Sequence, residues 1–527
     1  MPEVHLVVRW PDGTAQRCTS PSTAIERFLA PAGRYPAEEF VRRATAGLDA
    51  AGERVRERYG FRCTAAEAQA EAIRDAAALH TEAPDATVVV ESLKRAAGRR
   101  RFPAPERLGG HRPVVVVGAG QAGLAVSWHL KARGIDHVVL ERDRIASNWR
   151  DQRWDAFCLV TPNWQCRLPG HPYAGPEPDG FMVKDDIVAY VEDYAASFAP
   201  PVLEGVAVDA VERRGDLFLV RTPRGELTAD AVVLAVGGYH VAKVPPLASA
   251  LPAHVAQVHS SQYRNADALP DGGVLVVGSG QSGAQIAEDL HLAGRQVHLC
   301  VGSAPRVARF HRGRDVVAWL EDMGHYEMPV DEHPEGTGAR REPNHYVTGR
   351  DGGRDIDLRA FAAQGMALHG RLLGARGAVL QTGGDLRANL DAADATKRRI
   401  EETIDRWIAA QGIDAPPAVP YSPVWAPPAS ADAPGALDLD AAGVRTVVWA
   451  TGFRSDWSWV RIPEAFDATG YPAHDRGVTR VPGLHVLGLP WLHTWGSGRF
   501  AAVGRDAAHL AERIAAALPA GAPVRVA

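Results

Sequence analysis

Val114-Val115-Val116-Val117-Gly118-Ala119-Gly120-Gln121-Ala122-Gly123 decides how this chain is read. Four consecutive valines have the composition of a strand buried on both faces in a parallel sheet. Leu124-Ala125-Val126-Ser127-Trp128-His129-Leu130 then begins a helix, so the glycines occupy a strand-to-helix turn. Gly118 permits the tight turn, Gly120 leaves room for a pyrophosphate against the backbone, and Gly123 lets helix and strand pack closely. Gln121 stands at the helix N-terminus, which faces the anion. A second strand, His137-Val138-Val139-Leu140, ends in Glu141, whose carboxylate can accept hydrogen bonds from ribose hydroxyls. Strand, glycines, helix, strand and terminal acid in this order specify a dinucleotide-binding fold.

The pattern recurs downstream. Val274-Leu275-Val276-Val277 leads into Gly278-Ser279-Gly280-Gln281-Ser282-Gly283, and a helix follows through Ile286 and Leu290. The next strand, Gln296 to Val301, ends in Gly302-Ser303 rather than in an acid, with Arg306 and Arg309 just beyond. An acid there favours a free ribose 2'-hydroxyl, whereas an arginine favours a 2'-phosphate, so this second fold is expected to take NADPH through Ser303 and Arg306.

Two further stretches frame the second fold. Val232-Val233-Leu234-Ala235-Val236-Gly237-Gly238 is a strand running into a glycine turn, and Thr446-Val447-Val448-Trp449-Ala450-Thr451-Gly452-Phe453 is another. Turns of this kind, here Thr451-Gly452, occur where a flavoprotein chain crosses between its FAD and NADPH folds. Leu484-His485-Val486-Leu487-Gly488 is a last short strand, and Trp495-Gly496-Ser497-Gly498 opens a helix from about Phe500 to Leu518. A helix start beside the flavin would favour negative charge on the reduced ring. The expected class is α/β: two Rossmann-like domains, an FAD domain with an inserted NADPH domain, plus a small α+β N-terminal module. The expected limits are 1–80 for the module, 81–112 for a linker, 113–245 and 420–527 for the FAD domain, 246–330 for the NADPH domain, and 331–419 for an insertion that builds the pocket or its lid.

In the N-terminal module, Val4 to Trp10 is strand-like and Pro11-Asp12-Gly13 marks a turn. Thr23 with Glu26 fits a helix-starting capping box. Phe40, Val41, Ala44, Leu48, Ala51, Val55 and Tyr59 recur at helical spacing from Ala37, with Gly60 at the C-cap, and a second helix is expected from about Thr64 to Leu79.

Bulk properties exclude several classes. Apolar residues make up 46% and charged residues 23%, ordinary for a globular protein. A net charge of −5, with the short basic run Arg99-Arg100-Arg101 read as solvated linker, argues against a nucleic-acid partner, and no run of eighteen apolar residues suggests a membrane span. The start, Met1-Pro2-Glu3-Val4-His5, lacks the pattern of a signal peptide, and the five cysteines are odd in number and scattered, so a cytoplasmic location is expected. Cys18 and Cys63 read as small buried residues rather than a redox pair. His311, His325, His333, His345 and His369 lack short ligand spacing, so no metal is expected. A homodimer is left open.

From about residue 113 to 520 the chain resembles the class B flavin-containing monooxygenases. The resemblance rests on the order of the Gly118 and Gly278 fingerprints and the Ala450-Thr451-Gly452-Phe453 turn. It extends to His259-Ser260-Ser261-Gln262-Tyr263-Arg264, which matches the second half of the family's identifying motif. In the first half, where the family has an aromatic residue and a glycine, this chain has Ala253 and Val255. Asn148-Trp149-Arg150 resembles the segment lying along the FAD, which implies a cofactor role for Trp149. Asn163, in Thr161-Pro162-Asn163-Trp164, falls where the family often has an asparagine near the flavin. With His259 and Arg264 it is the catalytic candidate that the resemblance implies. More narrowly, Leu168 to Tyr173, Pro178 to Met182 and Gly349 to Asp357 resemble flavin-dependent oxidoreductases of bacterial nitrogen-starvation gene clusters, and residues 1 to about 80 resemble a small nitrogen-starvation response protein of the same clusters.

The resemblance implies transfer of hydride from NADPH to FAD, reaction with O2, and attack of a C4a-peroxyflavin on a small nitrogen-containing or other soft nucleophilic substrate. The altered first half of the motif keeps a second reading open, a flavin amine or imine oxidase or dehydrogenase without oxygen insertion. A third is a flavin-binding regulatory protein. A disulfide reductase would need two closely spaced cysteines beside the flavin, and Cys158 and Cys166 are too far apart for a C-x-x-C pair.

Overall fold

A computed structural model of the chain describes residues 4–20, 23–59, 64–78, 87–95 and 107–518. It divides into two compact units, Met1–Arg101 and Phe102–Ala527.

The first unit is a four-stranded antiparallel sheet with helices. Strands β1 (Val4–Arg9), β2 (Ala15–Ser20), β3 (Arg34–Pro36) and β4 (Thr87–Arg95) lie in the order β2-β1-β4-β3. Helices α1 (Ala37–Tyr59) and α2 (Thr64–Ala78) match the helical periodicity. Their apolar faces meet the sheet in a core built on Leu6, Val8, Phe40, Leu48 and Ile73. A short 3-10 helix, Thr23–Arg27, stands where the capping box is expected. One expectation shifts. Strand β4 lies inside the stretch expected to be a linker and pairs with β1, because an alternating strand next to charged residues is hard to tell from a connector until its partner is known. Cys18 is buried as expected, whereas Cys63 and Gly60 lie outside the described residues.

The second unit holds two large sheets, each built around a run of parallel strands, the first with antiparallel strands added at its edges. In the first, β5 (His111–Val117), α3 (Gln121–Ala132) and β6 (His137–Glu141) form the expected strand-turn-helix-strand unit. Helix α4 (Lys184–Phe198) leads to β7 (Val202–Glu204). The long strand β8 (Gly225–Leu234) follows. With a late strand, the parallel order is β7-β6-β5-β8 and then Leu484–Val486. The direction of winding reverses between β5 and β8, which opens a crevice beyond their carboxyl ends.

The second sheet contains β9 (Ala256–His259), β10 (Gly273–Val277), α5 (Gln281–Leu292), β11 (Val297–Cys300), β12 (Ala367–His369), the long helix α6 (Leu386–Gln411) and β13 (Val444–Trp449). Its parallel order is β9-β13-β10-β11-β12. The expected limits of the two folds are corrected here. Strand β13 was placed in the first fold and β12 in the insertion, yet both belong to the second sheet. Buried parallel strands of either fold have the same apolar composition, so only pairing reveals to which sheet they belong. The two crossings lie side by side, with Val241–Ala242 paired antiparallel to Phe453–Arg454.

The chain ends, among the described residues, in β14 (Leu484–Val486) and α7 (Val503–Ala517), slightly shorter than expected. No helix of the described residues is long and apolar enough to cross a membrane. His485 on β14 is buried, its Nδ1 has no hydrogen-bond partner, and burial pushes its pKa down to about 4. An unfolded histidine takes its proton near the ordinary value of 6.5, before the folded one does. The stability this contributes is therefore present above pH ~6.5 and is lost as pH falls toward ~4, by at most about 3 kcal/mol. The melting temperature is expected to fall across that window, and less so in His485→Gln.

Candidate functional site

Cavity walls are set first by the glycine loops. Gly118 has φ +100°, a conformation that side chains rarely adopt, and a methyl there would lie 2.7 Å from the Ala235 carbonyl oxygen. A methyl on Gly123 would collide with the Gly118 carbonyl, so this glycine sets how closely α3 lies on the sheet. Gly120 differs: nothing stands within 4 Å of where its Cβ would be, which is the open cradle a pyrophosphate needs. No side chain caps the start of α3, so its first N–H groups are left for an anion.

Gly118, Gly120, Gln121, Glu141, Trp149 and Gly488 all line one cavity of about 780 Å³. Glu141 accepts hydrogen bonds from the Ala119 N–H at 2.7 Å and the Asp143 N–H at 2.9 Å, which anchor its carboxylate at the ribose end. Trp149 stacks on Phe500 with ring centroids 5.6 Å apart. Its indole N–H points to Gln121 Oε1 at 3.4 Å, and Gln121 Nε2 donates to the Gly498 carbonyl at 3.3 Å. The first fingerprint, the Trp149 segment and the C-terminal Gly498–Phe500 turn are thus held together. These residues fit an FAD: Gly120 would admit its pyrophosphate, Glu141 would meet its ribose and Trp149 would flank its ring system.

The second loop repeats the geometry. Gly278 has φ +104°, with a would-be methyl 2.7 Å from the Ala450 carbonyl, Gly283 packs α5 against the Gly278 carbonyl, and Gly280 again faces open space. Ser282 lies in the first turn of α5, and Gly302 N–H donates to Ser279 Oγ at 3.0 Å. Of this fingerprint, Gln281 reaches the wall of the large cavity. Its Nε2 donates to the Val347 carbonyl at 2.7 Å, while its buried Oε1 has no partner. An orphaned acceptor facing the junction of the two folds suits a carboxamide donor such as a nicotinamide. Ser303 follows β11 but does not line the cavity.

Arg306 is corrected. It is 2% exposed and pairs with Asp394 on α6 at 2.8 Å and with Asp357 at 3.5 Å, beneath the Tyr421 ring. Arg309 is likewise committed, to Asp315 at 2.6 Å and the Val160 carbonyl at 2.6 Å. A guanidinium so placed is not free to meet a 2'-phosphate. Arg306→Ala is expected to cost about 3 kcal/mol in urea unfolding, because buried carboxylates lose a partner. The ratio of NADPH to NADH activity should stay unchanged; a collapse of that ratio would show that Arg306 does reach the dinucleotide.

The three catalytic candidates do not gather on the cavity wall. Asn163 is buried with both ends of its amide used inside its own loop, Nδ2 donating to the Glu177 carbonyl at 2.9 Å and Oδ1 accepting from Met182 N–H at 2.7 Å. His259 Nδ1 accepts from the Ser261 N–H at 3.2 Å, so Nε2–H donates to the Gly452 carbonyl at 3.0 Å. This ties the end of β9 to the Thr451-Gly452 crossing, where Thr451 Oγ1 donates to the Lys243 carbonyl. Arg264 donates to the carbonyls of Ser261 and Tyr263, both at 2.9 Å, and to that of Asp151, which joins the second fold to the first. Of the three, only Arg264 bonds across from the second fold to the first. Thr451 and Gly452 form the crossing rather than the wall.

Residues that the motifs did not reveal form the far end of the cavity: His325, Tyr326, Asn344, His345, Trp495 and Arg499. The signal for His325, Tyr326 and His345 is the aromatic and histidine content of residues 304–425, and Trp495 and Arg499 belong to the glycine turn that opens the last helix. His311 instead pairs with Asp405 at 2.8 Å, and His369 meets His298 at 3.1 Å. The free thiols of Cys158 and Cys166 are buried and off the wall, with burial pushing their pKa up to about 11 and about 12. Neither is suited to thiolate chemistry.

With this geometry in view, the likeness to known proteins is specific. An oxidoreductase described as CzcO-like from Geobacillus kaustophilus is 32% identical over 399 residues, which cover 75% of this chain and 96% of that protein. The chain belongs to the CzcO-like oxidoreductase family. Residues 115–326 match the pyridine nucleotide-disulphide oxidoreductase family, and residues 5–93 match the nitrogen starvation-induced protein NitG. Indole-3-pyruvate monooxygenase YUCCA1 of rice is 35% identical over 210 residues, covering 39% of this chain and 52% of that enzyme. A flavin-containing monooxygenase from Stenotrophomonas maltophilia shares the fold, with a TM-score of 0.53 and 20% identity over 77% of this chain and 99% of that one. The chain is thus an oxidoreductase of the CzcO-like family that also carries a segment matching NitG.

Proposed function

We propose that the enzyme is an FAD- and NADPH-dependent monooxygenase that inserts oxygen from O2 into a small nitrogen-containing or other soft nucleophilic substrate. The observation that carries this reading is the continuity of one cavity from the Gly118 loop, past Trp149 and Phe500, to the chamber around Tyr326 and Trp495. When bound, the flavin supplies the redox chemistry and NADPH the hydride.

The protein's part is placement. Gln121, through Trp149 and the Gly498 carbonyl, orients the ring site. Gln281 offers its free Oε1 to a donor at the junction of the folds. Tyr326 and Trp495, with ring centroids 4.5 Å apart, close an aromatic wall that displaces water from the reacting centre. Arg264 holds the second fold against the first and His259 fixes the crossing at Gly452, so their loss should lower hydride transfer through misplacement rather than through proton transfer.

The reading is tested with the flavin-loaded protein, NADPH and isotopically labelled ¹⁸O2 against a panel of alkylamines, amino acids and thioethers. Label in a product, in proportion to NADPH consumed, is the expected result. Hydrogen peroxide and an imine or its carbonyl product formed in proportion to the amine, with no NADPH consumed and no label in the product, would replace this reading by the amine or imine oxidase.

A further inference from the structure

Of the arginines along the cavity, Arg142, Arg144 and Arg309 pair with carboxylates, whereas Arg153, Arg399 and Arg499 have no ion pair among the described residues. Arg309 meets Asp315 at 2.6 Å and Arg144 meets Asp151 at 2.9 Å. Arg499 donates to the Trp495 carbonyl and, at 2.6 Å, to Asn344 Oδ1, and its guanidinium lies 3.6 Å over the Trp495 ring. Both acceptors are neutral, and among the described residues no carboxylate comes within ion-pair distance of it.

Its position relative to the flavin site follows from its neighbours in sequence. Gly498 accepts from Gln121, and Phe500 stacks on Trp149. Arg499, between them, lies near Tyr239 and Tyr326 and donates to Asn344. Burial pushes His345 down to about 4 and also lowers His325, so both imidazoles are neutral near pH 7 and lend the chamber no charge. Arg399, whose Nη2 donates to Thr396 Oγ1 at 3.2 Å, is the second cation on this part of the wall, and it too has no ion-pair partner among the described residues. A chamber with aromatic walls and a guanidinium held only by neutral acceptors is built for an anion.

We propose that the chamber takes a substrate bearing a carboxylate on an aromatic or extended apolar body, with Arg499 as the residue that anchors the carboxylate. This rests on the oxygenase reading above for its chemistry, but not for its binding test. A carboxylate on Arg499 would leave the rest of the molecule against Tyr326 and Trp495, next to the ring site that Phe500 and Trp149 frame. Arg499 is thus a specificity-determining residue.

The test uses flavin-loaded protein titrated with phenylacetate and 3-phenylpropionate, and in parallel with their uncharged amides, followed by the flavin absorbance and by inhibition of NADPH oxidation. The acids should bind at least tenfold more tightly than the amides. Arg499→Gln should lose about 10- to 100-fold for the acids and little for the amides, as removal of a charged hydrogen bond predicts, and Arg499→Lys should recover part of the loss. Flavin content and melting temperature establish that each variant is folded, and if Arg499→Gln fails to fold the acid-to-amide ratio is read from wild type and Arg499→Lys. Equal binding of acids and amides, or binding of neither, overturns the proposal. So does an Arg499→Gln protein that weakens NADPH and leaves the acids unaffected, since the anion served would then be the dinucleotide. An oxidase outcome in the ¹⁸O2 experiment would leave the acid preference standing, so the two failures are distinguishable.

Discussion

Gly120→Ala is expected to purify without flavin while its apo form melts at the wild-type apo temperature. The reason is local. Gly120 has φ −73° and its would-be Cβ meets nothing within 4 Å, so alanine costs the fold nothing. The methyl instead occupies the space into which a pyrophosphate must come to reach the N–H groups of α3. A fall in FAD affinity of about 100-fold or more, equivalent to about 2.7 kcal/mol, is expected from reconstitution titrations. Gly123→Ala provides the contrast. Its methyl strikes the Gly118 carbonyl, so it should lose both flavin and stability, the latter by about 1–3 kcal/mol for an overpacked contact. If Gly120→Ala held FAD as tightly as wild type, the pyrophosphate would have to lie elsewhere.

Gly280→Ala should give the complementary result, a yellow protein that NADPH no longer reduces. Gly280 also has a negative φ, −66°, and open space at its Cβ position. The flavin cavity is bounded by the first loop, and the second loop reaches it through Gln281, so flavin content should be unchanged. Stopped-flow reduction should show the NADPH concentration for half-maximal rate rising about 100-fold, while dithionite still bleaches the flavin fully. Loss of flavin from this variant would mean that the two loops do not serve separate dinucleotides. The pair of variants thus assigns one cofactor to each fold by a change of one methyl.

Much of this architecture was legible because a glycine loop encodes backbone geometry locally. The steric demands on Gly118, Gly123, Gly278 and Gly283 arise within one strand-turn-helix unit, and the same unit twice over specifies two dinucleotide folds. The helices of the N-terminal module were legible for a similar reason, since the spacing of Phe40, Ala44 and Leu48 puts them on one face whatever packs against it. The strand β4 was missed because its evidence is a partner, β1, far away in the chain.

The site was legible by halves. Gly118, Gly120, Gln121, Glu141, Trp149 and Gly488 converge as their motifs imply. Asn163, His259 and Arg264 do not, for a shared reason: a polar side chain takes whichever partner burial brings to it, and these three meet backbone carbonyls or amides of neighbouring loops. Arg306 met Asp394, on a helix well beyond its own strand, before any phosphate could claim it.

By itself, then, the sequence determined what short-range sterics and periodicity can encode: two nucleotide-binding turns, the crossing between them, the helices and most strands of the α/β body, and the separate N-terminal module. Tertiary structure alone decided to which sheet β12 and β13 belong, which polar groups are consumed as struts, and that Arg499 meets the neutral Asn344 while its neighbours Gly498 and Phe500 meet Gln121 and Trp149. Those are matters of pairing between distant segments, and a side chain's charge or hydrogen-bonding capacity becomes a function only once the fold has settled what stands opposite it.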